Sequence, residues 1–198
     1  VKKRWFLLAL VLGVAAVIIV WPHVPGYIQG RFTVVIDHIT GNPDTYVEQT
    51  QGRGWQQTRS ILAIGSGGLF GQGYLQGTQT QSASEEALPA RHTDEIFAVC
   101  GEEFGMVGCI LVILLLTAII LRCVWVARRA NSPMAAYVAM GYAAMLLLQT
   151  VINIGMCLYV FPVVGLTLPF FSSGGSSIIT LYACMGIVSG IKMRSLPS

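Results

Sequence analysis

The chain has 198 residues, of which 54% are hydrophobic and only 11% are charged, and its mean hydropathy is +0.67. A soluble globular domain usually carries about 25% charged residues, so the composition excludes that class and indicates a multispan membrane protein. The formal net charge is only +3, and we expect no nucleic-acid partner.

Four segments are apolar over the roughly 20 residues that a helix needs to cross the bilayer core. We therefore predict an all-α integral membrane fold with about four transmembrane helices. The predicted spans are residues 5–21, 104–126, 134–161 and 169–191. One long extracytoplasmic loop, about residues 22–94, is predicted to carry short interfacial helices.

The first apolar segment has two interpretations, because a basic start followed by an apolar run is shared by secretory signals and membrane spans. No small-residue cleavage site follows it, since Trp21-Pro-His comes next. A membrane span is the preferred interpretation. The chain begins with Val1, which fits an unusual start codon or a piece of a longer polypeptide.

Lysine and arginine cluster at the ends of the predicted spans, and such residues favour the cytoplasmic side of a membrane. They are Lys2, Lys3 and Arg4 before the first span, Arg128 and Arg129 at the end of the second, and Lys192 and Arg194 after the fourth. Every acidic residue lies between Asp37 and Glu103. We therefore predict that both termini are cytoplasmic and that the long loop faces outward.

The cysteines and histidines do not suggest a metal centre. All five cysteines fall in or beside apolar spans, where they are expected to act as small hydrophobic residues. The three histidines show no zinc-type spacing with one another or with cysteine. We expect no protein metal cage.

The outer loop contains one predicted helix. Residues 37–51 are polar and are predicted to be irregular. The run from Trp55 to Ile64 puts Trp55, Thr58, Ile61 and Leu62 near one side of a helix, with Gln56, Arg59 and Ser60 elsewhere. Such a helix can lie on the outer leaflet or pack on the outer end of the bundle, and both alternatives stay open.

Residues 65–73, here called the glycine segment, read Gly-Ser-Gly-Gly-Leu-Phe-Gly-Gln-Gly. The segment lacks the Lys-Ser/Thr ending of a P-loop and the spacing of a dinucleotide site. Its backbone amides, including those of Gly67 and Gly68, could line an anionic pyrophosphate. A flexible turn is the alternative.

Residues 88–95 place an ionisable cluster just before the second predicted span. The helix is predicted to start near Thr93 or Asp94, since both are good N-caps. Asp94 can therefore be a helix cap or a general base. Partial burial and the charge of Glu95 are expected to raise its pKa, whereas the basic side chains before it act to lower that pKa.

Two further carboxylates, Glu102 and Glu103, come about two turns later, at a depth where a charge normally faces a cavity or a partner. They could bind a cation or a substrate amine. Pairing with a basic residue on another helix is the commonest outcome for such groups.

Polar and small residues also mark the last two spans. Gln149 and Asn153 are four residues apart and are expected to form interhelical hydrogen bonds. Gly101-x-x-x-Gly105 and Gly186-x-x-x-Gly190 are expected to allow close helix packing. The prolines and glycines of residues 162–177 predict broken or re-entrant backbone that helps to shape a site.

Several motifs, in order along nearly the whole chain, resemble the SEDS family of shape, elongation, division and sporulation proteins, typified by RodA and FtsW. The motifs are Ala63-Ile-Gly-Ser-Gly-Gly-Leu-Phe-Gly-Gln-Gly73, Gly77-Thr-Gln79, Leu88-Pro-x-x-His-Thr-Asp94, Ile96-Phe-Ala, Glu102-Glu-x-Gly105, Asn153-Ile-Gly155 and Leu168-Pro-Phe-x-Ser-x-Gly-Gly-Ser-Ser177. The Gly77-Thr-Gln79 motif favours the RodA branch.

The resemblance implies a bacterial plasma-membrane glycosyltransferase that polymerises peptidoglycan from lipid II. It implies that Asp94 is the catalytic base, and that undecaprenyl pyrophosphate leaves with inversion. The implied substrate-binding residues are His92, Thr93, Gly67, Gly68, Glu102, Glu103, Ser172, Gly174 and Gly175. The implied partners are lipid II, the growing glycan strand, membrane lipid and a class B penicillin-binding protein of an elongation or division complex. No cofactor is expected, with a divalent cation left open.

Three departures from the family pattern matter. Glu95 stands where Phe is usual, which adds a negative charge at the implied site, and Ser173 replaces a common Tyr. The chain also resembles only the last four of ten spans, the C-terminal portion of the family. A flippase for lipid-linked sugars and a non-catalytic membrane scaffold are the alternative functions.

Overall fold

The structure is a computed structural model that describes residues 11–41 except 14, 17 and 18, residues 51–81, residue 88 and residues 90–195. These residues form helices and connecting loops, with no strand among them. After helical residues in 11–20 and a 3₁₀ turn at Trp21–His23, the helices are α1 (Gly26–Thr40), α2 (Trp55–Ser66), α3 (Ile96–Arg128), α4 (Pro133–Cys157) and α5 (Gly175–Arg194).

Within the described residues, α3, α4 and α5 are long and apolar enough to cross a membrane. They overlap the second, third and fourth predicted spans, although α3 begins at Ile96 rather than near 104 and α5 begins at Gly175 rather than near 169. The first predicted span, 5–21, lies largely outside the described residues.

The outer loop contains more regular structure than the sequence predicted. The expectation of irregular backbone is wrong for Asp37 to Thr40, which form the last turn of α1 before a left-handed Gly41 with a φ of 68°. Left-handed backbone favours glycine, which explains why the helix ends there. Residues 42–50 lie outside the described part of the chain.

Helix α2 packs on the bundle, which is the second of the two alternatives for this segment. Its buried residues are Gln57, Ser60 and Ala63, at a spacing of three, and α2 contacts both α3 and α4. The side that packs is not the predicted apolar side, because Leu62 is 51% exposed and Ser60 is fully buried. Gln57 donates to the Phe161 carbonyl at 2.7 Å, so a polar side chain fixes this helix.

Two apolar clusters hold the bundle together. The inner cluster joins the three long helices; it consists of Cys123, Val126, Ala127, Ala139, Tyr142, Ala143, Leu146, Leu181 and Val188. The hydroxyl of Tyr142 donates to the Leu181 carbonyl at 2.9 Å. The outer cluster packs the segment before α5 on α3 and α4; it consists of Phe97, Cys109, Val112, Leu116, Cys157 and Leu168. All five cysteines are free, three of them buried in these clusters.

Helix α3 is broken at Gly105, whose φ of 66° and ψ of −162° lie in a region that is essentially open to glycine alone. The glycine segment closes the break through backbone hydrogen bonds. Gln72 N donates to Glu102 O at 2.9 Å and Gly73 N to Glu103 O at 3.1 Å, while Met106 N and Val107 N donate back to Gly68 O and Leu69 O at 3.0 and 3.2 Å. The break therefore leaves these backbone groups paired, as a membrane protein requires.

Candidate active site

Residues 90–95 form a turn that leads into α3. The helix begins at Ile96 with Glu95 at the N-cap position, and no side chain caps it. The predicted capping by Thr93 or Asp94 is therefore wrong. The half-buried Asp94 carboxylate has no hydrogen-bond partner among the described residues, so it is available for chemistry.

The backbone of this turn is held by the segment that precedes α5. Ser173 donates to the His92 carbonyl through both its amide, at 2.9 Å, and its hydroxyl, at 2.7 Å. The Ser172 hydroxyl donates to the Thr93 carbonyl at 2.6 Å and accepts from Leu168 N at 2.8 Å. Two successive carbonyls are thus fixed by two successive serines.

The third carbonyl of the turn is held by α4. Asn153 Nδ2 donates to Asp94 O at 2.8 Å and to Leu166 O at 2.7 Å, which ties the turn to the loop between α4 and α5. The Cys157 thiol, one helical turn later, lies 3.8 Å from the same Asp94 oxygen. The prediction that Asn153 forms a hydrogen bond with another helix is therefore wrong, because its partners are loop carbonyls. The buried Gln149 Oε1 has no hydrogen-bond partner in the part of the chain that the structure describes.

A glycine in the loop between α4 and α5 passes close to the Asp94 carboxylate. A Cβ placed on Gly165 would stand 3.6 Å from Asp94 Oδ2, and Gly165 has a φ of 75°. The irregular backbone predicted for residues 162–177 is confirmed up to Gly174, since α5 begins at Gly175. This loop therefore forms one side of the surface around Asp94.

Burial raises the pKa of Asp94 above its ordinary value of 3.8. Among the neighbouring basic groups, the Arg91 guanidinium donates to the Thr80 carbonyl, and its Nε donates to His92 Nε2 at 3.3 Å. Arg91 therefore forms hydrogen bonds with Thr80 and His92 rather than with the Asp94 carboxylate. The direction predicted from partial burial is thus confirmed.

The remaining implied site residues fall into two groups. His92, Thr93 and Ser172 lie on or against the Asp94 turn, and Gly174 is the N-cap residue of α5, followed by Gly175. Gly67, Gly68, Glu102 and Glu103 belong to the contact between the glycine segment and α3. Substrate binding by either group stays a prediction.

Several amides of the glycine segment are engaged by the protein, and pyrophosphate binding by the others, such as that of Gly68, stays a prediction. The amides of residues 71, 72 and 73 donate to protein carbonyls, and so does that of Gly67. A Cβ on Gly67 would stand 1.9 Å from the Gly101 carbonyl oxygen, so glycine is needed there for close backbone packing. The segment is docked on α3 by backbone hydrogen bonds, which favours a packed segment over the flexible-turn alternative.

The two carboxylates of α3 bind loop groups, and among the described residues neither pairs with a basic side chain, the outcome expected to be commonest. Glu102 is fully buried and accepts from Gln79 N at 2.6 Å, Thr80 N at 2.9 Å and Thr78 Oγ1 at 3.2 Å. Glu103 accepts from Gln81 Nε2 at 3.0 Å. They fix residues 77–81 on the outer half of α3.

Sequence reasoning missed Asn153, Gly165 and Ser173 as parts of the Asp94 site. The first lies in the Asn153-Ile-Gly155 motif and the third precedes a Gly-Gly pair, so the motifs were visible but their contacts were not. Within the described residues, no group of three or more His, Cys, Asp or Glu side chains is placed to hold a metal ion. Binding of a divalent cation, which the sequence analysis left open, stays a prediction.

The family model and the known proteins that match this chain agree with one another. The family FTSW_RODA_SPOVE, described as cell cycle protein, matches residues 1–196. The peptidoglycan glycosyltransferase MrdB of Escherichia coli (strain K12) is 46% identical over 140 residues, which cover 71% of this chain and 37% of MrdB. The probable peptidoglycan glycosyltransferase FtsW of Bacillus subtilis (strain 168) is 39% identical over 140 residues, covering 71% and 34%. Stage V sporulation protein E of the same organism is 37% identical over 148 residues, covering 75% and 39%.

A solved structure shares the fold. It is a chain of a peptidoglycan synthase complex that coordinates polymerization and crosslinking, with a TM-score of 0.71 and 26% identity, covering 100% of this chain and 51% of that chain. The chain spans little more than a third of the length of the curated relatives above. The family match over residues 1–196, the membrane helices and the shared fold show that this integral membrane protein belongs to the FtsW, RodA and SpoVE family of cell cycle proteins.

Proposed function

We propose that this chain carries the catalytic aspartate of a peptidoglycan glycosyltransferase that polymerises glycan strands from lipid II. The observation that carries the proposal is the Asp94 turn. Its three successive carbonyls, those of residues 92, 93 and 94, are held by α4 and by the segment before α5, while the Asp94 carboxylate caps no helix. A fixed backbone with an unengaged carboxylate is the arrangement that a positioned general base requires.

In the proposed reaction the Asp94 carboxylate takes the proton of an acceptor sugar hydroxyl. That oxygen forms a bond to the anomeric carbon of the other glycan, and the bond from this carbon to undecaprenyl pyrophosphate breaks with inversion. The pyrophosphate leaves with the electron pair of the broken bond. The raised pKa of Asp94 supports this role, because a base works best when its pKa approaches the operating pH.

The orientation of the bundle supports catalysis at the outer face of the bacterial plasma membrane. The basic residues that close α3 and α5 lie at the same end of the bundle, where Asn131 donates to the Arg194 carbonyl at 2.8 Å. Basic ends favour the cytoplasm. The Asp94 turn begins α3 at the other end, so in this proposal it faces outward and the end of α5 faces the cytoplasm. A cytoplasmic N-terminus stays a prediction, because the first predicted span lies largely outside the described residues.

The relatives support the wider assignment to cell-wall synthesis. The solved relative belongs to a complex that couples polymerization to crosslinking, which supports a class B penicillin-binding protein as the partner of this chain. The identity to MrdB, 46%, is close to the 44% identity to FtsW of Coxiella burnetii, so the relatives support a role in elongation or division without separating the two.

The test replaces Asp94 by Asn in a chimera that places the N-terminal spans of a full-length family member ahead of residue 1. Lipid II polymerisation should fall by on the order of 10²–10⁴-fold, the usual loss when a general base is removed. Membrane levels should stay normal, because the turn is held by backbone carbonyls that the substitution keeps. Asp37→Asn, in α1, is the matched control and should retain the rate.

Polymerisation by the Asp94→Asn chimera at close to the parental rate would contradict the proposal. Lipid II transport without polymerisation by the parental chimera would favour a flippase. The absence of both activities, with binding to a penicillin-binding protein retained, would favour a scaffold.

A further inference from the structure

Glu95 follows Asp94 directly, yet its side chain leaves the candidate active site. It is 1% exposed and lies between α2 and α4. The family that this chain resembles usually has Phe at this position, so a carboxyl group stands here where an apolar ring is usual. A buried carboxyl group needs hydrogen-bond partners or a cation, because burial strongly disfavours an isolated charge.

The groups that face Glu95 are polar but not basic. Glu95 Oε1 accepts from Gln56 Nε2 at 3.1 Å. Glu95 Oε2 and the neighbouring Ser60 Oγ are both buried without a hydrogen-bond partner among the described residues. The Cys157 thiol faces Glu95 from α4, and the Asp94 carboxylate adds a negative charge from the same turn.

A protonated carboxyl group satisfies this environment. With a proton on Oε2, Glu95 can donate to Ser60 Oγ while Oε1 still accepts from Gln56. An ionised Glu95 would instead place a second negative charge beside Asp94. Burial raises the pKa of Glu95 to about 7, with Ser60 and Gln56 acting to lower it and Asp94 acting to raise it.

We propose that Glu95 is a positioning residue for Asp94, a neutral carboxylic acid that joins α2 to the Asp94 turn by accepting from Gln56 and donating to Ser60. This contact anchors the Asp94 turn to α2. The turn is also anchored to α4 and to the segment before α5. Loss of the proton leaves two carboxylates repelling each other in one turn. The catalytic consequence, a decline in rate as the pH rises above about 7, rests on the proposed function.

The first test measures the protonation state itself. The chain is reconstituted in lipid nanodiscs, and the infrared band of protonated carboxyl groups is followed from about pH 5 to about pH 9. A band that is absent from Glu95→Gln should disappear with a midpoint near 7. A Glu95 that is already ionised at about pH 6 would overturn the proposal.

The second test uses the chimera described above for Asp94. Glu95→Ala should lower polymerisation by roughly 10- to 100-fold, since small misplacements of a catalytic group have effects of this size. Glu95→Gln keeps both hydrogen bonds, so it should restore most of the rate and remove the decline above pH about 7. If Glu95→Ala does not fold, the Glu95→Gln profile decides.

A well-folded Glu95→Ala chimera at the parental rate, or a Glu95→Gln profile that still declines above pH about 7, would refute the positioning role. The failure of the proposed function gives a different result. In that case Asp94→Asn stays active, while the Glu95 infrared band still titrates near 7.

Discussion

Replacing Gly105 by Ala tests whether the break in α3 is required by the fold. A Cβ at this position would stand 2.4 Å from Gly71 N and 2.6 Å from the carbonyl carbon of Leu69, and these are backbone atoms that cannot move aside as a side chain can. The φ of 66° and ψ of −162° add about 1–3 kcal/mol of strain for a residue with a side chain.

The variant can relieve this strain only by releasing the glycine segment. That release breaks four backbone hydrogen bonds, at a net cost of about 1 kcal/mol each. Because the clash with backbone atoms makes release the cheaper route, Gly105→Ala should lower the free energy of unfolding by about 4 kcal/mol. Such a loss is a large part of the 5–15 kcal/mol that holds a typical domain together, so the folded yield should also fall.

The assay combines unfolding in mixed micelles with amide hydrogen exchange. In Gly105→Ala the amides of Gln72 and Gly73 should lose protection, because their acceptors lie at the break. Gly186→Ala is the matched control: this α5 glycine has no atom within 4 Å of an added Cβ, so the substitution should be neutral or stabilising by up to about 1 kcal/mol. Unchanged protection and unchanged unfolding in Gly105→Ala would refute the reasoning.

Two further predictions concern buried carboxylates. Glu102→Gln should destabilise the fold by about 1–3 kcal/mol and expose residues 77–81 to proteolysis, because its amide nitrogen would face one of the two backbone donors, Gln79 N or Thr80 N. Glu103→Gln, which loses part of a single bond to Gln81, should have a smaller effect, and equal effects would contradict this account. Since the pKa of Glu95 is raised from 4.5 to about 7, its contribution to stability is full below pH 4.5 and is lost as the pH rises to about 7. That loss corresponds to about 3 kcal/mol, so Glu95→Gln should show a flatter dependence of unfolding on pH, and parallel curves would argue against the buried acid.

Hydropathy predicted the three long helices because membrane spans need long apolar runs, and α4 shows this most clearly. Its start is also visible in the sequence, since Ser132 accepts from Ala135 N and Pro133 opens the helix. The start of α3 was placed wrongly, because contacts from distant serines and from Asn153 decide where the turn ends. Capping preferences describe local chemistry and do not include such contacts.

The site was predictable in its central residue but not in its surroundings. Asp94 followed from the family motif, whereas the capping alternative could be excluded only once the position of the helix start was known. The Gly105 break could not be found from hydropathy, since an apolar run reads the same whether its backbone is straight or broken. Glu95 was expected to add charge to the site, but its side chain is buried against α2, and sequence position does not give the direction of a side chain.

The closure of the α3 break also has a consequence for the order of folding. Gly71 precedes Gly105 by only about 30 residues, so the docking contact closes a short loop and loses little chain entropy. Synthesis proceeds from the N-terminus, so the closing segment is made before the helix that it completes. The nascent chain can therefore pair the exposed carbonyls of Glu102 and Glu103 as soon as they are formed, and α3 can enter the bilayer already bent.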